Sequence, residues 1–199
     1  MKIEVRPTTR RDLCYTASIA TDLDKKELIA SGPRNMTECG YIAWDCLVGY
    51  NGVGWSVWVD DNPEFSFGFT PVSLLQQHLL YGWAWGSDKR WLCMPEIARW
   101  AKAELVPTLD FMGCKRIEAR SIAEHKEAHR WLEWMAFKKD CDLPGWGTNG
   151  ENFVQYSWLR SEFPGFTKWG SVRRVRGTDH VHGKPAAVLP AARSSPAFD

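Results

Sequence analysis

Apolar Ile3 and Val5 alternate with Lys2, Glu4 and Arg6 before Pro7 ends the run, the pattern of a short strand. Thr8, Thr9 and Asp12 can then cap a helix predicted through about residue 29, closed by Ser31-Gly32-Pro33, where glycine supplies a left-handed cap and proline blocks continuation. A second helix is predicted over 37–50 with Tyr41, Trp44, Leu47 and Val48 on one face, and Gly52 and Gly54 break it. Runs at 55–60 and 64–70 alternate around Asp61-Asn62-Pro63, a hairpin by composition. A third run, Leu-Leu-Tyr-Gly-Trp-Ala-Trp-Gly at 79–86, is dense in aromatics and reads as a strand. Between 96 and 112 the period turns helical, with Ile97, Trp100, Ala101, Leu105 and Leu109 on a stripe, Pro95 in the first turn and Pro107 expected to kink it.

The stretch 116–137 organises the C-terminal half of the chain. Residues 116–120 alternate as a strand, and Ser121-Ile-Ala-Glu124 has the spacing of a capping box. The helix it opens carries Ala128, Trp131, Leu132 and Met135 on an apolar stripe, with Lys126, Glu127, Arg130 and Glu133 facing water. A closing hairpin is predicted from 138–143 and 153–160 around a Pro-Gly-Trp-Gly-Thr-Asn-Gly loop.

This order, with an Arg6-Pro7-Thr8 opening, Asp12 behind it, and the strand-turn-helix at 116–137, resembles the GNAT (N-acetyltransferase) fold. The family pattern at the later place is Asn-x-x-Ala-x-x-x-Tyr-x-x-x-Gly-Phe. Here Ala128 and Phe137 match, while His125, Leu132 and Ala136 stand where the family has Asn, Tyr and Gly. The resemblance covers about 1–160 and implies an α/β (α+β) class: a mixed, mostly antiparallel central sheet flanked by helices. It makes 79–86 the central strand, whose backbone would pair with the pantetheine arm of acetyl-CoA. The cofactor-binding candidates it points to are Trp85, Gly86, Lys89 and Arg90, and the catalytic candidate is His125.

Two departures bear on chemistry. An acetyl-CoA site of this kind needs a Gln/Arg-x-x-Gly-x-Gly/Ala turn whose free N–H groups hold the pyrophosphate. The corresponding segment has a single glycine, an acid at Asp88 and a proline at Pro95, although Lys89 and Arg90 offer side-chain ligands. The family's tyrosine acid is also absent at Leu132. An aromatic-rich, motif-poor chain of this kind resembles the GNAT-like internal virion and virion-assembly proteins of short-tailed bacteriophages, through its Arg-Pro-Thr opening, Trp83–Asp88 and the helix end Trp-Met-Ala-Phe. That likeness implies a non-enzymatic assembly protein without a cofactor, in host cytoplasm or in the virion, contacting virion or host proteins. The alternative is an acyl-CoA-dependent N-acetyltransferase with an atypical site.

Composition narrows the partners. Lys+Arg 25 against Asp+Glu 24 gives a formal net charge of +1, so no global field draws in nucleic acid or a membrane. Twelve tryptophans exceed ordinary usage and leave some indoles for a surface. The six cysteines include no Cys-x-x-Cys pair, and the Met-Lys-Ile-Glu-Val-Arg-Pro opening has no apolar h-region, so neither a zinc motif nor a secretory leader is expected. No apolar run reaches the length of a membrane span. His125 and His129 lie four apart, but the string is not His-Glu-x-x-His and has no evident third ligand, so no metal site is predicted and both read as structural or solvated histidines. Residues 161–199 carry six basic residues against three acidic ones, with Pro164, Pro185, Pro190 and Pro196. They read as a basic tail or docking arm, with Trp169, Arg173, Arg174 and Arg176 as contacts for a protein or for nucleic acid.

Overall fold

In the computed structural model, which describes residues 1–162, the chain begins with β1 (Ile3–Pro7), α1 (Arg10–Ser18), α2 (Asp22–Ala30) and α3 (Met36–Gly49). It continues through β2 (Val53–Val59), β3 (Asn62–Pro71) and β4 (Leu79–Gly86) to α4 (Arg90–Trp100), a π-helical turn (Ala101–Leu105) and α5 (Val106–Phe111). Then come β5 (Arg116–Ile122), α6 (Lys126–Trp134), β6 (Lys138–Leu143), β7 (Phe153–Leu159) and a closing 3-10 turn at Arg160–Glu162. The basic-arm residues Trp169, Arg173, Arg174 and Arg176 lie outside the described residues.

One sheet takes the order β1-β2-β3-β4-β5-β7-β6, and every neighbouring pair is antiparallel except β4 with β5. This is the mixed, mostly antiparallel sheet that the order of elements predicts. On one face Leu13, Ala17, Cys39, Ala43 and Leu47 of α1 and α3 pack with Trp83 and Trp85 of β4. On the other, Ile97, Ala101, Leu105 and Leu109 cover Phe65, Phe67, Leu80, Ile117 and Ala119. Among the described residues, no helix is long and apolar enough to cross a membrane.

Several local expectations are corrected. The single helix predicted to about residue 29 is two helices, because Thr21 leaves the helical path, donates its backbone N–H to the Gly86 carbonyl at 3.0 Å and caps α2 through its hydroxyl. The inward stripe of α3 is Cys39, Gly40, Ala43 and Leu47, while Tyr41 and Val48 are exposed. Small residues win that face because α1 passes so close that a Cβ on Gly40 would stand 2.7 Å from the Cys14 backbone. Ser121 does not cap α6; it belongs to β5, and His125 occupies the cap position without a capping side-chain bond.

The helix predicted from 96 starts earlier, at Arg90, and takes Pro95 into its interior. Its stripe recurs every four residues, and in a regular α-helix such a stripe drifts about 40° per step. The π-turn absorbs that drift, with the Val106 N–H reaching back to the Ala101 carbonyl. Pro107 then enters α5 in its first turn, where the missing N–H does little harm.

Candidate active site

The parallel ladder between β4 and β5 is short. It runs from Leu79↔Arg116 to Gly82↔Ala119 and stops. Beyond it β4 pairs only with β3, ending at Phe65↔Gly86, and β5 pairs only with β7, ending at Ile122↔Phe153. The two central strands therefore part. A cavity of about 640 Å³ opens there, with Leu28, Ile42, Tyr81 and Trp83 toward the α2–α3 face and Met94, Ile97, Leu132 and Met135 toward the α4–α6 face.

Four ionisable side chains meet at the parting. The break before α2 turns Asp24 and Glu27 inward, α4 brings Arg90, and the start of α6 brings His125. Glu27 Oε2 accepts from the Ser121 hydroxyl at 2.6 Å and the Ile122 N–H at 2.9 Å, and lies 3.2 Å from His125 Nδ1. The His125 side chain is buried, and its Nε2 has no hydrogen-bond partner among the described residues, with Asp24 Oδ1 3.6 Å away. Asp24 Oδ2 pairs with the Arg90 guanidinium and accepts the Gly86 N–H at 3.3 Å. Burial pushes the Asp24 carboxyl above its ordinary value, against the opposing pull of Arg90 and His125.

The sequence candidates divide. Gly86, Arg90 and His125 are brought together around Asp24, while Trp85 is buried, stacks on Trp83 at 4.6 Å and donates its indole N–H to Thr16. Lys89 turns aside to Glu64, at 2.6 Å. His129 is not paired with His125: its Nε2 lies 3.1 Å from the Ile122 carbonyl oxygen, and burial lowers its pKa. Leu132, at the family's tyrosine position, is buried and lines the cavity. Sequence reasoning missed Asp24 and Glu27. The signal was present in Thr21-x-x-Asp24, which has capping spacing and marks a helix start where continuous helix was expected.

The turn after β4 does not fit the pyrophosphate of acetyl-CoA. Gly86 N–H goes to Asp24, Ser87 N–H to the Glu64 carbonyl at 2.8 Å, and Lys89 and Arg90 N–H to the Ser87 hydroxyl and carbonyl, each at 3.2 Å. Both flanking cations are already bound to acids.

No family model and no curated protein matches the chain. Solved structures do. A ribosomal-protein-alanine N-acetyltransferase from Brucella melitensis superposes with a TM-score of 0.61 at 13% identity, covering 78% of this chain and 99% of its own. An N-acetyltransferase from Staphylococcus aureus Mu50 gives 0.58 at 13%, covering 80% and 99%. A Salmonella typhimurium protein solved with its cofactor acetyl-CoA gives 0.59 at 11%, covering 81% and 96%. These neighbours overturn the virion-assembly role expected from the phage resemblance: they are acetyltransferase structures, and nothing in them concerns a virion. At such identities the likeness carries the architecture alone, and by sheet order, parted central strands and superposition this chain has the GNAT N-acetyltransferase-like fold.

Proposed function

We propose that this protein is an acyltransferase of the GNAT type, moving an acyl group from a thioester to an amine. The observation that carries the reading is the pair His125 and Glu27 at the parting of β4 and β5, facing a cavity that reaches both sides of the sheet. Such a gap lets an acyl donor and an acceptor enter from opposite faces and meet at one point, which is where orientation lowers a bimolecular barrier most.

In the reaction the amine nitrogen bonds to the thioester carbonyl carbon and the carbon–sulfur bond breaks. The amine's proton passes to His125 Nε2 and leaves with the sulfur as a thiol. Glu27 holds the ring through Nδ1 and leaves Nε2 to accept. It can do so because Ser121 and Ile122 fix its carboxylate with two further hydrogen bonds. Leu132 has no proton to give, so that role does not fall to the family's usual position. Tyr81, whose phenol burial pushes up to about 12, lines the same cavity and holds its proton at neutral pH.

The test is thiol release from acyl thioesters in the presence of a panel of primary amines, with the product weighed by mass spectrometry. Turnover should fall on the order of 100-fold in His125→Ala, the usual size of a lost general base. Absence of any amine-dependent thiol release across donors and acceptors would remove the proposal.

A further inference from the structure

We infer that the donor is an acyl thioester recognised by its neutral, pantetheine-like arm and not by a nucleotide diphosphate. This rests on the acyl-transfer reading above and specifies the substrate of the same site. Asp24 is the first reason. Its carboxylate, buried in the protein, already holds the Gly86 N–H and the Arg90 guanidinium, the two groups a phosphate oxygen would take. A diphosphate arriving there would meet a fixed negative charge and would have to strip Arg90 from it, leaving a buried carboxylate uncompensated. Lys89 offers no substitute, because its partner Glu64 is itself buried and also accepts from the Ser87 hydroxyl at 2.7 Å. The surface beside the turn adds an independent second reason. It forms a hollow of about 560 Å³ bordered by the acids Asp22, Asp88 and Glu127, with Lys89 opposing them. A phosphate-bearing head would cross an acidic surface on its way in. Around the ionisable cluster of Asp24, Glu27, Arg90 and His125, the cavity at the strand parting is lined mainly by aromatic and aliphatic side chains on both sides, which suits an uncharged arm.

The experiment compares acetyl-CoA with S-acetyl-pantetheine as donors to wild-type protein, with 3′-phosphoadenosine 5′-diphosphate as competitor. The two donors should give kcat/KM values within about threefold of each other, with no competition by the nucleotide. In Asp24→Asn, which leaves Arg90 free to take a phosphate, the ratio should move toward acetyl-CoA by about tenfold or more. A wild-type preference of about tenfold or more for acetyl-CoA, relieved by the nucleotide, overturns this inference and leaves acyl transfer standing. No turnover with either donor overturns acyl transfer itself.

Discussion

His125 Nδ1 stands 3.2 Å from Glu27 Oε2, a contact between residues 98 positions apart that ties the start of α6 to the middle of α2. The same carboxylate oxygen serves the imidazole, the Ser121 hydroxyl and the Ile122 N–H. Glu27→Gln should therefore loosen the ring and weaken two further bonds together. We expect a loss of activity and about 1–3 kcal/mol of stability, the cost of under-satisfying buried donors. Kinetics and denaturant unfolding of the same preparation separate the two effects; a variant with wild-type turnover would deny Glu27 any part in the chemistry.

Removing one side of the Asp24–Arg90 pair tests how the cluster is balanced. Arg90→Met keeps the bulk of the stem and deletes the charge, leaving Asp24 buried without its main partner. The expected cost is about 3–5 kcal/mol. The double variant Asp24→Asn with Arg90→Met should recover part of it, and equal destabilisation of single and double variants would contradict the pairing.

Acidity offers a second view of Asp24. Its carboxyl is raised above the ordinary 3.8, with burial the largest cause. An acid raised in the folded state contributes stability that is full below its unfolded value and is lost as pH rises through the folded one. The melting temperature of wild type relative to Asp24→Asn should accordingly decline from pH 3.8 upward until Asp24 is ionised in the folded protein. A pH-independent difference would mean that burial does not govern this carboxyl.

Leu132→Tyr restores the residue type of the GNAT pattern inside a packed region. Leu132 is buried among Phe137, Ala119 and Leu105, so the larger ring should cost on the order of 1–3 kcal/mol. Turnover per folded molecule should not rise if, as proposed, His125 moves the proton; a clear increase in kcat would transfer that role to position 132.

Ala136 adopts φ 65° where the family pattern has glycine. A Cβ in the left-handed region costs about 1–2 kcal/mol, so Ala136→Gly should raise the melting temperature, less the entropy that glycine gains when unfolded. An unchanged or lowered melting point would show that the Ala136 methyl packs well enough to offset the strain.

Much of the fold was legible along the chain because its signals are local. The limits of β4 at Leu79 and Gly86 follow from an apolar, aromatic run closed by glycine, and those of the polar β6 at Lys138 and Leu143 from the stretch between Phe137 and Pro144. What escaped depends on contacts between distant segments. The break before Thr21 is held by the Gly86 carbonyl, and Ser121 stays in β5 with its hydroxyl committed to Glu27. His125 sits among Glu124, Lys126 and Glu127, a neighbourhood that reads as solvated, yet its ring turns under the end of β5 and is buried. The candidate site was half visible for the same reason: Gly86 and Arg90 belong to a recognisable strand exit, whereas Asp24, which engages them, and Glu27, which engages His125, arrive from a helix whose true start is set by tertiary structure.

The nine-residue span of α2 places Asp24 and Glu27 three positions apart on one rigid rod. One of them holds the Gly86 N–H and the Arg90 guanidinium at the exit of β4, and the other holds the imidazole. Under the proposed reaction, donor choice and proton traffic share a single mechanical part, and a shift of α2 that relaxed the one would mistune the other. Arg90 bears on Asp24 and Ser121 on Glu27, so a substitution at either facing residue acts on one of the two acids at a time.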